Sequence, residues 1–338
     1  MTVQRAPLAD PSRGGAAPAI EVHDLVKTYP GDVRALAGIS LRVPAGAVFA
    51  LLGPNGAGKT TAVKILTTLS RPDGGSALVA GLDVLREPDR VRRAIGVVAQ
   101  RPGVDREATG RENLTLQGQL HGLRGRRLEG RVAELLDRFG LAAAADRVTG
   151  TYSGGMQRRL DIALGLVHEP RVLFLDEPTT GLDPEVRASM WEEIARLTDA
   201  DGLTVLLTTH YLEEADRLAG RLAIVDRGRV VAEGTPEELK RELRGDAIHV
   251  ELAAAEEEAR VLAALAGLDG ALREVALDGR RLRARVDDGA SAVPRVLGAL
   301  DAAGVAAAAV TVARPSLDDV YLRHTGRSFT RADEEGNR

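Results

Sequence analysis

Gly53-Pro54-Asn55-Gly56-Ala57-Gly58-Lys59-Thr60-Thr61 is the stretch on which the reading of this chain turns. An apolar run, Ala47-Val48-Phe49-Ala50-Leu51-Leu52, precedes it and reads as a buried strand. Thr61-Ala62-Val63-Lys64-Ile65-Leu66 follows it and reads as the opening of a helix. Strand, glycine-rich loop and helix are the context of a phosphate-binding loop. Glycines let successive backbone N–H groups turn inward on an anion, and the helix start adds the positive end of its dipole. In such a loop Lys59 reaches the β- and γ-phosphates and Thr60 offers its hydroxyl to Mg²⁺. The alternative is a surface loop with chance glycines. Against it, only four of the 45 basic side chains are lysines, at 27, 59, 64 and 240. Arginine serves almost everywhere else, so a lysine kept inside the loop points to a need for a compact ammonium.

Outward from the loop, composition sets bounds. A chain of 338 residues suggests about two domains, and 44% hydrophobic residues is ordinary for a globular protein. A formal net charge of −4 and a pI near 6.0 give no electrostatic argument for nucleic acid, so no such partner is expected. The absence of cysteine excludes disulfides, thiolate zinc sites and iron–sulfur clusters. No apolar run approaches the roughly 18 residues that read as a membrane span. Residues 1–19 carry Pro, Gly and Arg without an apolar core and read as a disordered leader.

Short apolar strands and amphipathic helices then alternate, which is the α/β pattern. Ile20 to Tyr29 and Ile39 to Val43 read as strands flanking the turn Pro30-Gly31-Asp32. From about 105 to 150 the pattern becomes helical. Thr109-Gly110-Arg111-Glu112 has the spacing of a capping box, and Val132, Leu135, Leu136 and Phe139 form an amphipathic stripe. Strands at Val172 to Leu175 and Thr204 to Thr208 restore the α/β pattern, and Asp226-Arg227-Gly228 marks a hairpin. A boundary is expected near 244/245. Beyond it the order βαββαβ is compatible with a small ferredoxin-like α+β domain over 245–325, ending in amphipathic Ser316 to His324. Residues 326–338 are polar and are expected to be a disordered tail.

Several residues extend the phosphate-loop argument. Asp176 and Glu177 end an apolar strand, 117 positions (176 − 59) beyond Lys59. A strand-end carboxylate beside such a loop can hold Mg²⁺, and its neighbour can face an attacking water. The plainer reading is a pair of carboxylates capping the next helix. Ser153-Gly154-Gly155 opens another helix, as a cap and turn and also as a second anion site. Two such helix starts could bind one nucleotide each or share one with another copy. Taken singly, His210, Gln100 and Tyr29 are unremarkable strand-end residues.

Together these features resemble the ATP-binding subunit of an ABC transporter over about Ile20 to Gly234. Gly53 to Thr61 resembles Walker A, Gln100 the Q-loop glutamine, and Ser153-Gly154-Gly155 the signature. Val172 to Asp176 resembles Walker B, with Glu177 as the catalytic carboxylate. Gly181-Leu182-Asp183 resembles the D-loop, His210 the switch histidine and Tyr29 the aromatic that stacks on adenine. The resemblance implies a P-loop NTPase cassette over 20–244: a mostly parallel sheet, an antiparallel β subdomain and a helical subdomain at about 105–150.

It further implies a head-to-tail homodimer that clasps each ATP between the Walker A loop of one copy and Ser153 to Gly155 of the other. Lys59 and His210 would then contact phosphate, Thr60, Gln100 and Asp176 would serve Mg²⁺, and Glu177 would polarise water. An integral-membrane permease would be the partner, with the chain peripheral at the cytoplasmic face of the membrane. In two respects the sequence departs from the family pattern: in the signature Tyr152 stands where Leu is usual and Met156 where Gln is usual, and a C-terminal module follows that a minimal ATP-binding subunit lacks. The end of the extra C-terminal domain, Arg314 to Leu322, resembles that of daunorubicin-resistance-type subunits, whose separate permeases export hydrophobic antibiotics. Efflux of an anthracycline-like compound is therefore the expected task. Another cargo (ion, lipid or polysaccharide) is an alternative, and a soluble ABC ATPase of ribosome or DNA is a more distant one.

Overall fold

The computed structural model describes residues 17–243, 245–255, 258–268 and 272–336. The elements of the first part run β1 Ile20–Tyr29, β2 Val33–Val43, β3 Val48–Leu52, α1 Lys59–Leu66, β4 Gly74–Val79, β5 Leu82–Asp83, α2 Pro88–Ala94 and β6 Ile95–Val98. Helices α3 Gly110–Leu120 and α4 Gly125–Arg138 follow, then α5 Gly154–Leu166, β7 Val172–Asp176 and α6 Pro184–Asp201. The cassette closes with β8 Thr204–Thr209, α7 Leu212–Leu218, β9 Arg221–Asp226, β10 Arg229–Gly234 and α8 Pro236–Glu242.

Two sheets carry this part. One is antiparallel, in the order β2-β1-β4-β5. The other runs β10-β9-β3-β8-β7-β6, parallel throughout except for edge strand β10. Strand β3 sits inside it, buried along its whole length. Its alternation divides the core. Val48, Ala50 and Leu52 join the cluster under the helical subdomain, while Phe49 and Leu51 join the one under the antiparallel sheet. The expected capping box forms at α3: Glu112 N–H donates to Thr109 Oγ1 at 3.1 Å, and Thr109 N–H to Glu112 Oε2 at 2.8 Å. The hairpin between β9 and β10 turns on Arg227 and Gly228, both at positive φ (47° and 73°), as a type I′ turn requires.

The C-terminal part runs β11 Asp246–Leu252, α9 Glu258–Leu265, β12 Arg273–Asp278, β13 Arg281–Val286, α10 Gly289–Ala302, β14 Ala307–Ala313, α11 Leu317–Thr325 and α12 Phe329–Gly336. Its sheet has the order β12-β13-β11-β14, antiparallel throughout, which is the ferredoxin-like arrangement of βαββαβ. Ile248, Val250, Leu252, Leu282 and Val286 point to one face and pack with Val261, Val296 and Leu300 of α9 and α10.

Helix α11 leaves this domain and packs against α7, α8 and β10 of the cassette, where Leu317, Val320 and Tyr321 join the cassette core. One expectation needs correction. Residues 329–336 are helical, and Phe329 and Ala332 are buried in that same core. The polar composition of this segment masks two apolar anchors one helical turn apart. The expected leader falls mostly outside the described residues. Its last position, Ala19, is hydrogen-bonded to Val43 O at 2.8 Å and belongs to the fold.

Candidate functional site

The P-loop leaves the carboxyl end of β3, where open α/β sheets place their ligands. Glycine is required at two points for different reasons. A Cβ on Gly53 would lie 2.3 Å from Val225 O, because the adjacent strand passes close by. Gly58 precedes α1 at φ +106°, with Ala35 O 2.4 Å from where a Cβ would be. Lys59 is 4% exposed and folds back over the loop, donating to Gly53 O (2.6 Å) and Pro54 O (3.0 Å). The cavity beside it is about 320 Å³ and is lined by Tyr29, Arg34, Asn55 to Thr61 and Glu177. A larger cavity, about 590 Å³, lies at the opposite end of the sheet beside Val172 and Thr204, the first residues of β7 and β8. It contains none of the P-loop and lies at the wrong end of the strands for phosphate chemistry.

Parallel pairing brings the carboxylates to the loop. Asp176 is in register with Thr208 on β8. Thr208 Oγ1 donates to Asp176 Oδ1 at 2.6 Å, and Thr60 Oγ1 donates to the same oxygen at 3.2 Å. Glu177 follows at φ +49°, a left-handed conformation that costs a non-glycine residue about 1–3 kcal/mol. Its N–H is held by Thr208 O (3.2 Å) and Thr208 Oγ1 (3.0 Å).

Four side chains converge on the Glu177 carboxylate. Gln100 Nε2 and Thr180 Oγ1 donate to Oε2 at 3.1 and 3.3 Å. Lys59 Nζ lies 3.7 Å from Oε1, and His210 Nδ1 lies 3.4 Å from it. The His210 contact is not aligned as a hydrogen bond. Burial works to raise the Glu177 pKa, but His210, the Lys59 ammonium and the Thr180 hydroxyl together outweigh it. The carboxyl is held below its usual range and is ionised at neutral pH. Burial lowers the Lys59 pKa, opposed by Glu177, Asp333 and Asp176 in that order.

The signature is placed apart from this cluster. Ser153 caps α5, its Oγ accepting from Met156 N–H at 3.3 Å. Ser153 and Gly154 are exposed, and neither lines the P-loop cavity. Asp183 likewise caps α6, accepting from Val186 N–H at 2.9 Å, outside that cavity. Tyr152 is buried and donates its hydroxyl to Ala144 O at 2.6 Å, which ties the signature to the helical subdomain.

Two residues escaped the sequence reading. Thr208 is the hydroxyl between Asp176 and Glu177, and its only sequence signal was the strand-end pair Thr208-Thr209. Arg158 is buried and donates to Pro178 O (2.7 Å), Ala99 O (2.8 Å) and Asp161 Oδ2 (2.9 Å). It joins the signature helix to the segments that carry Gln100 and Glu177, and nothing in its sequence neighbourhood marks it.

Known proteins are similar to this chain in sequence and fold. A family model described as ABC transporter matches residues 36–180, and one for the C-terminal domain of DrrA1-3-like ATP-binding proteins matches 234–325. The daunorubicin resistance ATP-binding protein DrrA2 of Streptomyces coeruleorubidus is 50% identical over 308 residues, covering 91% of this chain and 95% of that protein. The chain belongs to the DrrA-type ABC transporter ATP-binding proteins. The daunorubicin/doxorubicin resistance ATP-binding protein DrrA of Streptomyces peucetius is 48% identical over 322 residues, 94% of this chain and 97% of that one. Among solved structures, a dimeric ATP-binding cassette in a post-hydrolysis state bound to ADP and Pi superposes with a TM-score of 0.58 at 26% identity, covering 64% of this chain and 98% of that one. As a member of this family the chain is an ABC ATPase, and the cassette is its ATP-binding part. Helix α12 lies beyond the stretch matched by the C-terminal model.

Proposed function

We propose that this DrrA-type subunit hydrolyses ATP with Mg²⁺ at the seam of a head-to-tail homodimer and thereby drives efflux of a hydrophobic, anthracycline-like drug. The drug would cross through a separate integral-membrane permease, with the subunit peripheral at the cytoplasmic face. The observation that carries the catalytic reading is the convergence of Lys59, Gln100, Thr180 and His210 on Glu177 at the mouth of the P-loop. No described helix is long and apolar enough to cross a membrane, in keeping with a permease on another chain. The printed names of the DrrA relatives support the drug class.

The donor set fits Mg²⁺ delivered with a nucleotide. Among the described residues no group of three His, Cys, Asp or Glu could hold a metal ion alone. Asp176, the Thr60 hydroxyl and the amide oxygen of Gln100 are hard donors, too few by themselves and suited to a cation that brings phosphate oxygens. Bound there, the cation would offset phosphate charge. The loop N–H groups and Lys59 bind the phosphates, and Tyr29 offers a ring to the base. Ionised Glu177 orients water and accepts its proton, with His210 and Gln100 fixing the carboxylate. The exposed start of the signature, Ser153 and Gly154, supports a second copy completing the site.

The test has two arms. Purified Glu177→Gln is expected to bind ATP and fail to turn it over. Inverted vesicles from cells lacking this chain are expected to lose ATP-dependent daunorubicin accumulation. Undiminished hydrolysis would remove the role of Glu177, and undiminished accumulation would remove the cargo.

A further inference from the structure

Helix α12 meets the cassette at the P-loop. Phe329 and Ala332 are buried, and Phe329 stands edge-on to Tyr321 with ring centroids 5.0 Å apart. Phe329, Ala332 and Asp333 fall at i, i+3 and i+4 and share one helix face. Two apolar anchors therefore set the register that turns a carboxylate towards the cassette. Asp333 Oδ1 accepts a hydrogen bond from the Asn55 N–H at 2.9 Å. Asn55 lies within the loop whose N–H groups are its anion donors.

A second set of contacts fastens the same segment to the loop from behind. Tyr321 Oη donates to Asp226 Oδ1 at 3.0 Å, and an Arg327 guanidinium nitrogen donates to the same oxygen at 2.8 Å. Asp226 opens the Arg227-Gly228 turn, and Gly228 N–H donates to Ala57 O in the P-loop at 2.9 Å. A cavity of about 270 Å³ lies between the two partners, lined by Pro54 to Ala57 on one side and by Arg327 and Ala332 on the other.

We propose that Asp333 acts as an internal phosphate mimic, so that α12 latches the nucleotide-free P-loop and an incoming triphosphate must displace it. The Asn55 N–H has one proton to donate, and a carboxylate now takes it. A phosphate at the loop meets like charge in a partly buried mouth, where screening is weak. The carboxylate also faces the field of Lys59, as a phosphate does. Asp333 is half-buried, so release breaks a local contact set and leaves the sheets intact. Because α11 and α12 continue from the C-terminal domain, that domain and nucleotide affinity are coupled, and the coupling is reciprocal.

This inference rests on the nucleotide reading of the site, and calorimetric titration of the full chain with Mg-ATP separates the two. Asp333→Asn keeps the shape and removes the charge, while Asp333→Ala removes both. Each is expected to tighten ATP binding about 5- to 10-fold, at the low end of couplings typical between sites. Hydrolysis at saturating ATP should be unchanged, and hydrogen exchange at the Asn55 amide should accelerate in nucleotide-free protein. Glu334→Gln, an exposed charge on the same helix, should alter neither reading. Unchanged or weaker ATP binding by both Asp333 variants would overturn the latch. A wild-type chain that binds no ATP would overturn the nucleotide reading with it.

Discussion

The P-loop end of the cassette and its signature end are built in opposite ways. At the P-loop end, side chains from segments far apart in sequence are coupled: Lys59 and His210 both lie against Glu177, and Asp176 is clasped by two hydroxyls. At the signature end, Ser153 and Asp183 satisfy only the first turns of their own helices and face outward. One end is pre-organised within a single chain, whereas the other presents an exposed helix start with nothing of its own chain to act on. The contrast teaches that a residue can stand in its family position and still lie apart from the cluster that its motif is expected to serve.

The largest test of that contrast removes the group on which the first end converges. Glu177→Gln should lower ATP turnover by at least about 100-fold while binding persists, because general-base contributions are of that size. Radiolabelled ATP binding and phosphate release measure the two separately. At the other end, Ser153→Ala should leave ATP binding by the isolated chain near wild type and lower hydrolysis by about 100-fold, as loss of one anion donor does. Hydrolysis by the wild type should also rise faster than linearly with protein concentration. First-order dependence over a wide range would break the comparison by making the single chain sufficient. Thr208→Val keeps the shape but removes the hydroxyl between Asp176 and Glu177. It should cost about 10-fold in turnover and raise the Mg²⁺ concentration needed, since a hydrogen bond to a charged group is worth about 1.5–3 kcal/mol. A Mg²⁺ titration of activity reads both.

The smallest expected effect lies behind the helical subdomain. His168 stacks on His121 with ring centroids 3.7 Å apart, and burial followed by the His121 charge pushes its pKa down from 6.5 to about 4. The folded state keeps this imidazole neutral while the unfolded chain protonates it near 6.5. Stability should therefore decline as pH falls from about 6.5 towards about 4, and His168→Gln should flatten that part of the curve. Urea unfolding midpoints at several pH values measure it. An unchanged pH profile would remove His168 as the cause.

Much of the site was legible because its motifs are local. The P-loop, the strand-end Asp176-Glu177 pair and the Ser153 helix start each need only a few consecutive residues to declare their geometry. The βαββαβ order of the C-terminal domain was readable from alternating patterns, and its strand order follows from antiparallel connection rules. Thr208 and Arg158 were not legible, because Thr208 meets Asp176 32 positions away, Arg158 reaches Pro178 O and Ala99 O 20 and 59 positions away, and nothing local marks either contact. Helix α12 was misread as disordered because polarity dominates its composition. Its two anchors acquire meaning only against Tyr321 and the cassette core.

By itself, then, the amino-acid order determined that there is a phosphate-binding loop, which carboxylates accompany it, and that a separate α+β module follows. Those are consequences of backbone freedom, alternation and capping, which act within a few residues. The tertiary structure alone decided that four side chains meet on Glu177, that the signature is left facing outward, and that Asp333 reaches the Asn55 amide. These depend on strand order and on the seating of α11 and α12, set by burial between segments up to 278 residues apart in the chain.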